Sequence, residues 1–367
     1  MSVTRELYKF GASSIASLQS RLPNSDGFFF TITKVSDPAY AFSVLVPLAA
    51  GIHTLLAADL LVASLVAEWS NTLLKWLLME DRPYWWVREV ELTGLRTPTL
   101  RQTPLTCETG PGSPSGHVMG ATAVMYVLRE WIEHYYIIPH EDLSDKKKRA
   151  LNLLSWTFLI WAVVFVSLSR LYVATHFPHQ CVLGFFFGLM VGRLLVCKTS
   201  AWTWWWRRGS WKRLLCISAL LTSISISAYW FQRALGIDPQ WSVRLAFKWC
   251  EHAEYLHVDT TPLYSLVRDS GAAIGVALSS PVHRPQVLRG SYVIRIGLAG
   301  ATVLLFQSLS SAIPTQQAVV FYLLHCLLQG LQAWALLWLL PKIANLLPWQ
   351  PRQRQQSKKQ KLPPKQE

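Results

Sequence analysis

The sequence predicts an all-α polytopic membrane bundle of about nine transmembrane helices, and three observations carry that reading. Of its 367 residues 51% are hydrophobic and only 15% charged, a balance unsuited to a single soluble domain. Apolar stretches of near-membrane length recur along most of the chain, which argues against an aromatic-rich soluble core. The 18 tryptophans suit a bilayer interface, where one side of an indole is apolar and the other wet.

Taken in order, the spans fall near 30–50, 54–78, 118–138, 151–169, 179–197, 212–235, 260–280, 292–313 and 318–341, each close to the length that crosses a hydrocarbon core. The first carries Lys34, Asp37 and Pro38 and the seventh Arg268 and Asp269. Ionisable groups are costly at membrane depth, so these two are the weakest. Basic residues cluster in every second connection and in the tail, all on one face of the expected bundle: Lys146, Lys147, Lys148 and Arg149; Lys198, Arg207, Arg208, Lys212 and Arg213; Arg284, Arg289 and Arg295; and Arg352, Arg354, Lys358, Lys359, Lys361 and Lys365. By the positive-inside rule that face is cytosolic, which puts the amino terminus and the loops 79–117, 170–178 and 236–259 on the opposite face.

The chain thus divides into an amino-terminal segment 1–27, a membrane domain 28–347 and a basic tail 348–367. Segment 1–27 contains Arg5, Lys9 and Arg21 without a clean apolar run, so no removable signal peptide is expected. The net charge of +14 resides in short loops and the tail, which reads as topology and not as a nucleic-acid surface. Cys107, Cys181, Cys197, Cys216, Cys250 and Cys326 are scattered without a CxxC, and buried free thiols are expected.

Three short elements lie where spans meet the non-cytosolic side. Lys75 and Arg82 stand seven apart, and Pro83 disfavours helical geometry at Arg82, which should sit at the mouth. An arginine fork beside a lysine point charge suits an anion, although a lysine near a span end also snorkels to the headgroups. Pro114-Ser115-Gly116-His117 precedes an apolar helix, so free backbone N–H groups and the positive end of the helix dipole meet a serine hydroxyl. An ordinary helix cap is the alternative. His176-Phe177-Pro178 opens another span, with Arg170 six residues upstream. His176 and His179 lack a carboxylate or cysteine cluster to complete a metal site, and neither metal nor other cofactor is expected.

These elements, Lys75-x6-Arg82-Pro83, Pro114-Ser115-Gly116-His117 and Ser169-Arg170-x5-His176, resemble the three-part signature of the type 2 phosphatidic acid phosphatase superfamily. The flanking residues are similar to the glucose-6-phosphatase catalytic subunits: Arg82 to Val87, Cys107 to His117, and His176 to Gln180. The likeness runs from about residue 36 to residue 340. Residues 245–251 and 268–273 are more similar to the broadly expressed branch than to the liver or islet branches.

The resemblance implies a phosphatase core in which His176 attacks phosphorus and His117 protonates the departing oxygen and then activates water. Lys75, Arg82, Arg170, Ser115 and Gly116 would hold the phosphate, and positioning with charge neutralisation suffices for phosphoryl transfer without a metal. The wider superfamily carries an aspartate four residues after the histidine, where this chain has Gln180, so the group orienting His176 is open; Asp37 is one candidate, and a plain interfacial acid is the alternative reading of it. Trp86 could face a sugar ring, and Thr106 with Glu108 could bind its hydroxyls, although belt aromatics are commoner.

Glucose 6-phosphate or 1,5-anhydroglucitol 6-phosphate is the implied substrate, in the endoplasmic reticulum lumen beside membrane lipids, supplied by a partner sugar-phosphate transporter. The competing readings are a lipid phosphate phosphatase, usually of six spans, and a transporter that binds the anion without cleaving it.

Overall fold

A computed structural model describes residues 2–139, 141–196, 210–279, 291–314 and 317–346. They form helices joined by loops, and the β pairing among them is an isolated bridge between Glu108 and His257. In chain order the helices are α1 (Ser2–Arg21), α2 (Asp26–Val35), α3 (Pro38–Ile52), α4 (Thr54–Leu78), α5 (Pro83–Glu91), α6 (Gly116–Ile132), α7 (Asp145–Tyr172), α8 (Pro178–Val196), α9 (Trp211–Ala234), α10 (Trp241–Trp249), α11 (Pro262–Leu278), α12 (Tyr292–Ser311) and α13 (Ala318–Leu346).

Among the described residues, α7, α8, α9, α12 and α13 are long and apolar enough to cross a membrane, and α2 with α3 makes a sixth if the bent pair is one span. The span expected near 30–50 is therefore not continuous. It bends by 60° where Asp37 accepts the Ala39 N–H and Pro38 starts α3, since proline fits the first helical position and cannot continue a preceding helix. The stretches expected near 54–78, 118–138 and 260–280 hold helices α4, α6 and α11, but length and apolarity alone do not mark these as spans. Each carries buried charge: Asp59, Glu68 and Lys75 in α4, Arg129 in α6, Asp269 in α11. Such helices occupy the bundle interior, where neighbouring helices supply partners. The basic residues Lys198, Arg207, Arg208, Arg284 and Arg289 and the tail 348–367 lie outside the described residues.

Helix α4 runs through the main core, packed by Leu56, Leu60, Leu61 and Trp76 against Met119 and Val127 of α6 and Leu266 and Val276 of α11. The α6–α8 contact matters most for the site. Gly184, Gly188 and Gly192 recur every four residues, so they share one face of α8. A Cβ on Gly188 would lie 2.4 Å from the Met119 carbonyl oxygen, so only glycine allows this approach. The start of α8 is thereby held against the start of α6.

Segment 1–27 is largely helical, which hydrophobic periodicity did not reveal. Tyr8, Ala12 and Ile15 of α1 join Trp85, Trp86, Phe177 and Ala246 in an aromatic cap that also includes α5 and α10. Tyr8 stacks on Phe177 with ring centroids 4.6 Å apart, so α1 lies directly on the loop that carries His176. Cys107 and Cys250 form a disulfide with Cα atoms 5.9 Å apart, which corrects the expectation of free thiols for this pair. Their separation of 143 residues hides the pairing from any spacing rule.

Candidate functional site

The three sequence elements converge at one end of α4, α6, α7 and α8. His176 sits in the turn between α7 and α8 and is fully buried. Its Nδ1 is 2.8 Å from the Gly112 carbonyl oxygen, which can only accept, so Nδ1 carries the proton. The Nε2 lone pair is left facing the cluster, 3.3 Å from Arg82 Nη1. Gly112 is required at this point, because a Cβ there would lie 2.4 Å from the Asp81 carbonyl oxygen. His176 is therefore oriented by a backbone carbonyl, and neither Gln180 nor Asp37 serves.

Arg82 is not at the mouth. It is buried at the N-cap of α5, with Nε donating to Gly110 O at 2.6 Å, Nη1 to Thr175 O at 3.2 Å and Nη2 to Pro111 O at 3.2 Å. Three backbone carbonyls thus fix the plane of the guanidinium. Arg170, in the last turn of α7, is equally buried. Lys75 is buried in α4 with its Nζ beside Gly110, where a Cβ would meet it at 3.6 Å, so it does not snorkel outward.

Between the two arginines lies Glu108. Its Oε2 is 2.8 Å from Arg82 Nη1 and its Oε1 pairs with Arg170 Nη2. The same carboxylate is 4.0 Å from His117 Nδ1 and 3.9 Å from His176 Nε2. Burial alone would raise its pKa, but Arg170 and Arg82 hold it well below the ordinary carboxylate range. Burial first, then Arg82 and Arg170, push His176 well below its usual value, so the ring is neutral and its Nε2 lone pair accepts from Arg82 Nη1.

His117 occupies the first turn of α6, and its Nε2 is 3.7 Å from Asp37 Oδ2. Asp37 thus faces His117 and not His176. Ser115 takes the N-cap backbone position, yet its side chain makes no cap hydrogen bond. Its buried hydroxyl and the buried Arg170 Nε lack hydrogen-bond partners among the described residues. The Ser115 N–H is engaged by Gln180 O at 3.0 Å, which leaves the first-turn N–H groups of α6, that of Gly116 among them, as backbone donors. Two donors withheld from the protein beside a cationic cluster suit an anion.

Gln180 acts as a tie. Its Oε1 accepts the Phe177 N–H at 3.0 Å, and its Nε2 donates to Asp81 O at 2.8 Å and Glu80 Oε2 at 3.0 Å. Glu80 also meets His179 at 2.8 Å, so His179 belongs to this brace. Thr106 donates to Val173 O at 2.7 Å and accepts from the Thr103 N–H at 2.8 Å, which commits its hydroxyl to loop structure. Trp86 packs edge-on against Tyr8 at 5.3 Å and Phe177 at 5.8 Å, inside the aromatic cap. Both residues were expected near a sugar, and the cap and the loop claim them first. Asn71 was not expected; its Nδ2 donates to Pro114 O at 3.0 Å and braces the loop before His117. A cavity of about 590 Å³ at the far end of α6, lined by residues such as Arg129, Trp131 and Arg193, is separate from this cluster.

Comparison with known proteins gives the family. Residues 56–207, which contain all three elements, match the model of the PAP2 superfamily, a class of phosphatases. The chain is 34% identical over 328 residues to glucose-6-phosphatase catalytic subunit 1 of Canis lupus familiaris, covering 87% of this chain and 89% of that protein. It is 35% identical over 328 residues to the Rattus norvegicus protein of the same name, and 33% identical over 332 residues to glucose-6-phosphatase 2 of Homo sapiens, covering 87% of this chain and 89% and 90% of those proteins. The chain belongs to the glucose-6-phosphatase catalytic subunit family, and it is a phosphatase. No solved structure matches it.

Proposed function

We propose that this chain hydrolyses glucose 6-phosphate, or a close sugar phosphate such as 1,5-anhydroglucitol 6-phosphate, through a phosphohistidine at His176. The observation that carries the reading is the tautomer of His176, with Nδ1 donating to Gly112 O and Nε2 turned toward two buried arginines. A binding protein would need the cations but no neutral imidazole nucleophile among them, which disfavours the transporter alternative.

In the first step Nε2 attacks phosphorus, an N–P bond forms, and the bond from phosphorus to the sugar oxygen breaks. His117 gives its proton to the departing oxygen. Arg82, Arg170 and Lys75, with the Ser115 hydroxyl and the Gly116 N–H, offset the charge on the phosphoryl oxygens. In the second step His117 takes a proton from water, which attacks phosphorus and releases inorganic phosphate and free His176.

The membrane arrangement in this proposal has nine crossings, with domain boundaries at 1–27, 28–347 and 348–367, a non-cytosolic amino terminus and a cytosolic tail. The site then faces the endoplasmic reticulum lumen, surrounded by membrane lipids and fed by a sugar-phosphate transporter. The Cys107–Cys250 disulfide, which joins two loops on the site's face, supports an oxidising compartment. Purified protein is expected to release phosphate from glucose 6-phosphate, and His176→Ala to release none. Binding without turnover by the parent would reject the hydrolase reading.

A further inference from the structure

Glu108 lies where the reaction needs the phosphoryl group. Its carboxylate bridges Arg82 and Arg170 and stands 3.9 Å from His176 Nε2, the atom that must meet phosphorus. Two anions cannot share the same pair of guanidinium groups without repulsion, so an arriving phosphate must turn the carboxylate out.

The backbone cannot follow. Cys107 is disulfide-bonded, its carbonyl accepts the His257 N–H at 3.0 Å, Tyr84 Oη donates to Glu108 O at 2.9 Å, and the Thr109 N–H donates to Thr260 Oγ1 at 3.0 Å. Only side-chain torsions remain, so a displaced carboxylate stays beside the site. An unpaired carboxylate there is costly unless new donors reach it. Because Glu108 is about as close to His117 as to His176, a leaving group that His117 protonates falls within its reach.

We propose that Glu108 determines specificity as an internal anion: it holds the phosphoryl position until a phosphate ester displaces it, and then takes the leaving group's hydroxyls as replacement donors. A polyhydroxylated leaving group compensates the displacement. Inorganic phosphate and simple aryl esters displace the carboxylate and give it nothing. The inference rests on the hydrolase reading above and adds how the site rejects its own product.

The test is Glu108→Gln, which keeps the shape and removes the charge. Inorganic phosphate is expected to inhibit or bind about tenfold more tightly than in the parent, and the kcat/KM preference for glucose 6-phosphate over p-nitrophenyl phosphate to narrow about tenfold. An unchanged or weaker phosphate affinity in a variant that melts with the parent overturns the displacement. Tighter phosphate with an unchanged preference overturns the specificity role. If Glu108→Gln does not fold, Glu108→Asp, whose shorter arm cannot bridge both arginines, should shift both quantities in the same direction, and no shift overturns the proposal. If the parent cleaves neither ester, the hydrolase reading fails, while calorimetric phosphate binding to parent and variant still decides the displacement.

Discussion

Two buried arginine–carboxylate clusters flank α4, built in opposite proportion. At the candidate site two arginines share one carboxylate, Glu108, with Lys75 and two histidines close by. Two turns back along the face of α4 that carries Lys75, one arginine serves two carboxylates: Arg268 meets Glu68 at 3.2 Å and Asp269 at 2.9 Å. The first cluster leaves donors unpartnered, Arg170 Nε and Ser115 Oγ; the second leaves acceptors, Glu68 Oε1 and Asp269 Oδ2. Only the first has the sign and the open valences for a phosphate. The second ties α4 to α11 and accounts for the charges that made the seventh span look weak.

This division predicts different failures for similar substitutions. Arg170→Ala should lower kcat/KM for glucose 6-phosphate by about a thousandfold or more, with folded protein still recoverable. Arg268→Ala should instead cost about 3–5 kcal/mol of stability by leaving buried carboxylates unpaired, and turnover per folded molecule should change little. Thermal melts with activity on the soluble fraction separate the two. Loss of turnover in well-folded Arg268→Ala would break the comparison.

A smaller effect is expected at the disulfide that fastens the Glu108 loop. Cys250→Ser should lose about 2–5 kcal/mol, and reductant should bring the parent's melting temperature down to that of the variant.

Acid should separate stability from nucleophilicity. Glu108, with its pKa held low, stabilises the fold above the unfolded value of about 4.3, and that contribution is lost as pH falls through the lower folded value. His176, also depressed, stays neutral when the unfolded chain protonates near pH 6.5, so the folded state loses stability below that pH. Melting temperature should therefore fall below pH 6.5, while kcat/KM shows no acid limb from His176 there. An acid limb at that pH would contradict a neutral His176, because His117, which must be protonated to give its proton to the departing oxygen, limits kcat/KM on the alkaline side. The smallest effect is assigned to Asp37→Asn, about a fivefold fall in turnover through His117, largest for esters with poor leaving groups.

The helical class and the converging elements were legible because they rest on local signals: apolar runs, and motif residues at helix starts. The bend at Asp37-Pro38 was visible as an anomaly but not as a break, since Pro38 fits a new helix as well as it ends an old one. What stayed hidden depends on distant contacts. The carbonyl that orients His176 belongs to Gly112, a residue with no side chain to attract notice. Trp86 and Thr106 looked available because their partners, Tyr8 and Val173, lie far away in the chain. The glycines at 184, 188 and 192 were in plain view, and their four-residue spacing was the signal that could have joined α6 to α8.

Passage of the phosphoryl group through His176, inside the cation-rich cluster, is the step that sets this site apart from one that only binds an anion. Its most direct test is to quench purified protein during turnover of labelled glucose 6-phosphate under alkaline denaturing conditions, where phosphohistidine survives, and to map the label by mass spectrometry. Phosphate is expected on His176, absent from His176→Ala and retained longer in His117→Ala. Turnover with no phosphoenzyme, or with the label on His117, would contradict it.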